Sequence, residues 1–195
     1  MLKLGLTGSI AVGKSTVLAV FADQNIPTFS SDEAVHALYR GVAVPPVAAA
    51  FPGVVTDGGI DRAALSAILV VHPERLKDLE AIVHPLVRAE ISRFLATAQA
   101  SGADLAVVDI PLLYERGIDW GFDKVLVVAV DPATQRVRAL ARPGMNVEKL
   151  DAILARQLPQ AEKLKRADCI IWTDGSLEET RRQVLELIQS LRTGR

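Results

Sequence analysis

Gly8-Ser9-Ile10-Ala11-Val12-Gly13-Lys14-Ser15, followed by Thr16, is the stretch whose reading decides the fold. It reads G-x-x-x-x-G-K-S, a phosphate-binding loop signature. Glycines let the backbone curl so that successive N–H groups point into one concavity, which suits an anion. The helix that starts at the end of the loop adds its positive dipole end. The spacing lets Lys14 reach the β- and γ-phosphates of a nucleoside triphosphate and lets the Ser15 hydroxyl ligate Mg²⁺. Leu2 to Thr7 reads as a short apolar strand ahead of the loop. Val17, Leu18, Val20 and Phe21 supply the buried stripe of a helix behind it. Strand, loop and helix in that order distinguish a working nucleotide site from a glycine-rich turn.

Composition bounds what surrounds this loop. The chain has 195 residues, 50% of them hydrophobic, enough for one substantial core with inserted subdomains. Its 22 basic and 23 acidic residues leave a net charge of −1, so charge offers no argument for nucleic acid or an anionic membrane as a partner. The single Cys169 excludes an intramolecular disulfide and reads as a small buried hydrophobe. His36, His72 and His84 are too dispersed for a zinc site. Met1-Leu2-Lys3 leads directly into the first strand, so no signal peptide is expected, and no apolar run approaches the roughly 20 residues of a membrane helix. A cytoplasmic monomer is the expectation.

Strand and helix patterns alternate along the rest of the chain. Thr28-Phe29 reads as a second strand ending at Ser30-Ser31-Asp32. Asp32 is open to two readings: an acid at a strand's C-terminal end, on the ligand side of a parallel sheet, or the N-cap of the helix that follows. Spacing alone favours the cap. Asp57-Gly58-Gly59 is a turn. Three helices are expected next: Asp61 to Val70, Pro73 to Ile82 and Pro85 to Ala100, with each proline at a first-turn position. Asp104 to Ile110 has the continuous apolar character of a buried strand, and Asp109 stands at its end, where a phosphate-loop enzyme keeps a metal-side acid. Lys124 to Val130 is another such strand. Helix, Pro143-Gly144 breaker and helix then follow from Ala133 to Gln157, the shape of a closing lid. Arg138 and Arg142, four apart, share a helical face there. Asp168 to Trp172 is a last strand, and Ser176 with Glu179 forms a capping box for a terminal helix. Without a tight hairpin signal, this pattern gives an α/β fold: a parallel sheet with helices on both faces, plus a helical insertion and a helical lid.

No Asn-Lys-x-Asp guanine-reading motif and no Leu-Ser-Gly-Gly-Gln stretch is present, which argues against a GTPase and a transporter ATPase. The size, helical insertion and arginine-bearing lid suit a small-molecule kinase. Further stretches narrow this. Gly5-Leu6-Thr7-Gly8-Ser9-Ile10, Ile60-Asp61-Arg62, Leu79-Glu80-Ala81-Ile82-Val83-His84-Pro85 and Asp109-Ile110-Pro111-Leu112-Leu113-Tyr114-Glu115 occur in order. Arg138, Arg142, Gln157, Lys163 and Ala167-Asp168 follow them. Taken together, nearly end to end, the chain resembles the dephospho-coenzyme A kinases. Two stretches depart from that pattern. Ser30-Ser31-Asp32 stands where an Asp-Ala-Asp segment is usual, and Trp172-Thr173-Asp174-Gly175 where Asp-Asn-x-Gly is usual.

The resemblance implies a three-layer phosphate-loop fold. Its nucleotide-binding core would be residues 1–31, 101–132 and 159–195, its helical acceptor domain residues 32–100 and its lid residues 133–158. It implies ATP and dephospho-coenzyme A as substrates, with Mg²⁺. Gly8, Ser9, Ile10, Ala11, Val12, Gly13, Lys14, Ser15 and Thr16 would hold the nucleotide, with Ser15 and Asp109 on the metal. The resemblance makes Asp32 the base, reversing the weighting from spacing. Lys14, Arg138 and Arg142 would act on the phosphates. Arg62, His84 and Leu112 would join Asp32 on the acceptor side. The rivals are a nucleoside-monophosphate kinase and, from another class, a nucleotide-switched binding module.

Overall fold

Strand β1 (Leu2–Thr7) carries its apolar residues in alternation, and Leu4 and Leu6 bury one face of the sheet against helix α1 (Lys14–Asp23). The computed structural model describes residues 1–115 and 117–193. They divide into two compact units, Met1–Phe29 with Thr97–Arg195, and Ser30–Ala96.

The first unit is built on a five-stranded sheet. Besides β1 it contains β2 (Thr28–Ser30), β5 (Leu105–Asp109), β6 (Lys124–Ala129) and β7 (Cys169–Trp172), in the order β2-β5-β1-β6-β7. β1 pairs in parallel with β5 on one side and β6 on the other, and β6 pairs in parallel with β7. The register sets Leu6 beside Asp109, so Asp109 ends β5 at the edge from which the phosphate loop departs. Ligand chemistry in open parallel α/β sheets belongs at that edge.

On one face, Val17, Val20 and Phe21 of α1 and Val184, Ile188 and Leu191 of α9 (Leu177–Thr193) pack with Leu4, Leu6, Val107, Leu126, Val128 and Ile171. Each such side chain contributes about 1.5–3 kcal/mol by leaving water. α9 starts as its capping box predicts: Glu179 N–H donates to Ser176 Oγ at 3.1 Å, and Ser176 N–H donates to Glu179 at 2.7 Å. Helices α6 (Pro132–Leu140), α7 (Val147–Leu154) and α8 (Gln160–Lys165) complete this unit. α6 stops at Leu140, so Arg142 lies just beyond it.

The second unit holds α2 (Ser31–Leu38), α3 (Val44–Ala50), β3 (Val55–Thr56), β4 (Gly59–Ile60), α4 (Arg62–Val71), a 3₁₀ turn at Pro73–Arg75 and most of α5 (Leu76–Ala100). Two expectations are corrected here. First, β3 and β4 form an antiparallel hairpin in a segment expected to be all helical. Asp57 (φ 52°) and Gly58 (φ 75°) both have positive φ, as a two-residue type I′ turn requires. Second, Pro85 does not start a helix; it lies inside the 25-residue α5. An interior proline removes one backbone hydrogen bond and crowds the preceding turn, at a cost of about 3 kcal/mol. Leu79, Val83, Val87 and Ile91, four residues apart and all buried, form one continuous apolar stripe across it. Burial of that stripe outweighs the local loss. Among the described residues, no helix is long and apolar enough to cross a membrane.

Candidate functional site

The loop after β1 has the backbone that its signature demands. Gly13 (φ 86°) is the N-cap of α1, a left-handed conformation that favours glycine. Gly8 is fixed by proximity: a Cβ there would lie 2.6 Å from the Val128 carbonyl oxygen. Lys14 Nζ donates to the Gly8 carbonyl at 3.2 Å, folding the side chain over the loop. Ser15 is exposed, in the first turn of α1.

Most of the intervening residues are buried. Ser9, Ala11 and Val12 are buried, and Ala11 packs with Ala139 and Leu150, with Ile10, Leu140, Met145 and Leu154 against them. Ile10 and Ala11 therefore form one side of the packing under α6 and α7, while Val12 joins the main core with α1 and the sheet. Two glutamines hold Ile10 from that side. Ile10 N–H donates to Gln157 Oε1 at 3.1 Å, and Gln135 Nε2 donates to the Ile10 carbonyl at 2.8 Å. Of these four residues, Ala11 also lines the pocket beside the loop, and Ile10 is half-buried.

A pocket of about 360 Å³ opens beside the loop, lined in part by Gly13, Ser15, Thr16, Arg138, Arg142 and Thr173. Both arginines expected on the lid thus face the same space as the start of α1. Arg138 is half-buried and held by Thr173, while Arg142 is exposed. Gly175 lines the pocket too, so the atypical Trp172-Thr173-Asp174-Gly175 stretch borders it. Trp172 itself is exposed on β7.

Asp109 is buried at the end of β5, and the segment after it is tied down. Thr7 Oγ1 donates to the Pro111 carbonyl at 3.2 Å, Leu113 is buried and Leu112 is half-buried. Glu115 then meets Lys163 of α8 in a buried ion pair at 2.7 Å, with Lys163 0% and Glu115 10% exposed. Leu158 N–H donates to the same Glu115 oxygen at 2.8 Å. Burial by itself pushes the Glu115 carboxyl up; the hydrogen bonds from Lys163 and Leu158 and the Lys163 charge hold it below the usual value.

In the other unit, Asp32 is not a cap. Glu33 N–H donates to Ser30 Oγ at 3.3 Å, which makes Ser30 the N-cap of α2 and leaves Asp32 exposed in the first helical turn. The serine that departs from the expected acidic segment does the capping. Asp61 caps α4 instead, accepting from Ala63 and Ala64 N–H at 2.8 and 3.1 Å, and so sets Arg62 at the first helical position. His84 lies half-buried on α5 beside Pro85. Tyr39 is buried, which raises its phenol pKa, while the nearby Arg62 charge lowers it.

Sequence reasoning singled out the Trp172–Gly175 stretch but missed the tie of Thr173 to the loop, and it missed Gln135. Each meets the loop across more than 100 residues of chain, with no local pattern to announce the contact.

The family model described as dephospho-CoA kinase matches residues 2–179. A dephospho-CoA kinase of Mesorhizobium japonicum is 54% identical over 192 residues, covering 98% of each chain. Among solved structures, a Thermus thermophilus protein aligns with a TM-score of 0.85 at 35% identity, over 99% of this chain and 98% of that one. A dephospho-CoA kinase from Campylobacter jejuni aligns with a TM-score of 0.73 at 27% identity, over 98% of both chains.

Proposed function

The chain belongs to the dephospho-CoA kinase family, and from that premise we propose how its residues move the γ-phosphate of ATP to the ribose 3′-hydroxyl of dephospho-coenzyme A. The observation that carries the reading is the convergence of the phosphate loop, Ser15, Arg138 and Arg142 on one pocket.

The loop amides and Lys14 hold the β- and γ-phosphates. The nucleoside of ATP occupies the pocket lined by Thr173 and Gly175. Asp32, freed from capping by Ser30, takes the proton of the 3′-hydroxyl. That oxygen attacks the γ-phosphorus in line, the bond to the β–γ bridging oxygen breaks, and ADP leaves with the electron pair. Arg138 and Arg142 neutralise the charge that builds on the transferred group. Arg62, His84 and Leu112 contact the acceptor, residues 32–100 form the acceptor domain and residues 133–158 the lid.

Ser15 and Asp109 fit Mg²⁺: both offer hard oxygen donors, one exposed at the first turn of α1, the other at the strand end level with the loop. The ion, when bound, neutralises charge on the β- and γ-phosphates. The enzyme is read as a cytoplasmic monomer.

An acceptor panel under Mg-ATP tests the reading, with product identification at the 3′ position. Dephospho-coenzyme A is consumed and converted to coenzyme A, while AMP, CMP and UMP are not phosphorylated. Phosphorylation of the monophosphates alone, or hydrolysis that ignores the acceptor, overturns it.

A further inference from the structure

Thr173 is 4% exposed and meets four residues distant from it in the chain. Its hydroxyl donates to the Val12 carbonyl of the phosphate loop at 2.8 Å, with the Ala129 carbonyl at 3.4 Å as a weaker second acceptor. The same oxygen accepts from Arg138 Nη1 at 3.0 Å, and Arg138 Nη2 donates to the Thr173 carbonyl at 2.7 Å. Gly13 lies against the same side chain, since a Cβ there would come within 3.4 Å of Thr173 Oγ1 and Cγ2.

A hydroxyl suits this place. It has one proton to give and lone pairs to receive, so it serves the loop carbonyl and the guanidinium at once. The two donors from Arg138 to one residue fix both the direction and the plane of the guanidinium. The end of β7, the phosphate loop and the arginine meet in a single buried side chain. We infer that Thr173 is a positioning residue: it ties Arg138 to the phosphate loop, so that the cation stands in place before charge builds on the phosphate. The benefit lies in preorganisation, because a charge already aimed at its target needs no rearrangement during transfer.

This rests on the reading of Arg138 as a charge-neutralising residue, and the experiment separates the two. Initial rates are measured for the wild type, Thr173→Val, Thr173→Ser, Arg138→Ala and Arg138→Ala with Thr173→Val, each across ATP and dephospho-coenzyme A. Thr173→Val, nearly isosteric but without the hydroxyl, lowers kcat by about tenfold and leaves KM for dephospho-coenzyme A unchanged. Thr173→Ser keeps the hydroxyl and stays within about twofold of wild type. In the Arg138→Ala background Thr173→Val costs little more, because the group it positions is gone. If Thr173→Val does not fold, Thr173→Ala takes its place in the same cycle. Wild-type kcat in Arg138→Ala removes the arginine's role and the inference with it. A low kcat in Arg138→Ala with wild-type kcat in Thr173→Val overturns the inference alone. So does a Thr173→Val loss of equal factor with and without Arg138, which marks a purely structural residue.

Discussion

Removing Glu115 is expected to destabilise the protein more than removing its partner. Lys163 is fully buried and Glu115 is its 2.7 Å counter-charge. Breaking a buried pair by deleting one member leaves an uncompensated charge and costs about 3–5 kcal/mol. Glu115→Ala does this and also strips the Leu158 N–H of its acceptor. Lys163→Met leaves a carboxylate that still accepts from Leu158 and reaches solvent at its 10% exposed surface. For 195 residues, that range corresponds to a fall in Tm of about 7–12 °C. Replacing both, Glu115→Leu with Lys163→Met, removes the charges together and stays within about 2 kcal/mol of wild type. Urea titrations and thermal melts of the four proteins measure this. The pH dependence has a definite sign. The Glu115 carboxyl is held below its ordinary value of 4.5, so its stabilisation is present above that value and is lost as pH falls through the lower folded-state value. The gap between wild type and Glu115→Ala therefore narrows below about pH 4.5. Single variants that each cost under about 1 kcal/mol, or a double variant whose cost equals both singles added, would refute the reasoning.

Asp32→Asn is expected to lower transfer by roughly 10²–10⁴-fold while ATP still binds, read from product formation beside nucleotide titration; near-normal turnover removes Asp32 as base. Ser30→Ala removes the α2 cap and costs about 1 kcal/mol in urea denaturation. No change there would mean that another group does the capping. Gln157→Met leaves Ile10 N–H without its acceptor and raises KM for ATP by roughly five- to tenfold. An unchanged KM for ATP would show that the loop keeps its form without the glutamine.

What could be read from sequence was what local pattern encodes. Gly8 to Ser15 specifies its own turn, and the continuous apolar runs around Val107 and Val127 can only be buried strands. The Ser176–Glu179 box spans four residues and was legible for the same reason. Pro85 misled because propensity is a local quantity. The stripe from Leu79 to Ile91 that overrides it acts through tertiary burial. Asp57-Gly58 carried a hairpin signal that was read only as a turn, since its flanking strands are two residues each. Asp32 and Ser30 both qualified as a cap, and only the hydrogen bond to Glu33 separates them. The links from Gln135, Gln157 and Thr173 to the loop cross 125, 147 and 161 positions. No window of sequence contains them.

Those distant partners bear on how portable the phosphate loop is. Ile10 is gripped by its N–H, its carbonyl and its side chain, all from residues beyond position 134. The eight-residue signature resembles a casting, and α6, α7 and the end of β7 resemble its mould. Grafting Gly8 to Ser15 onto a foreign strand and helix would transfer the glycines and the lysine but not what sets their shape. In a library that randomises the four residues between the glycines, tolerance should therefore follow complementarity to Ala139, Leu150 and Thr173 more closely than any direct liking for nucleotide.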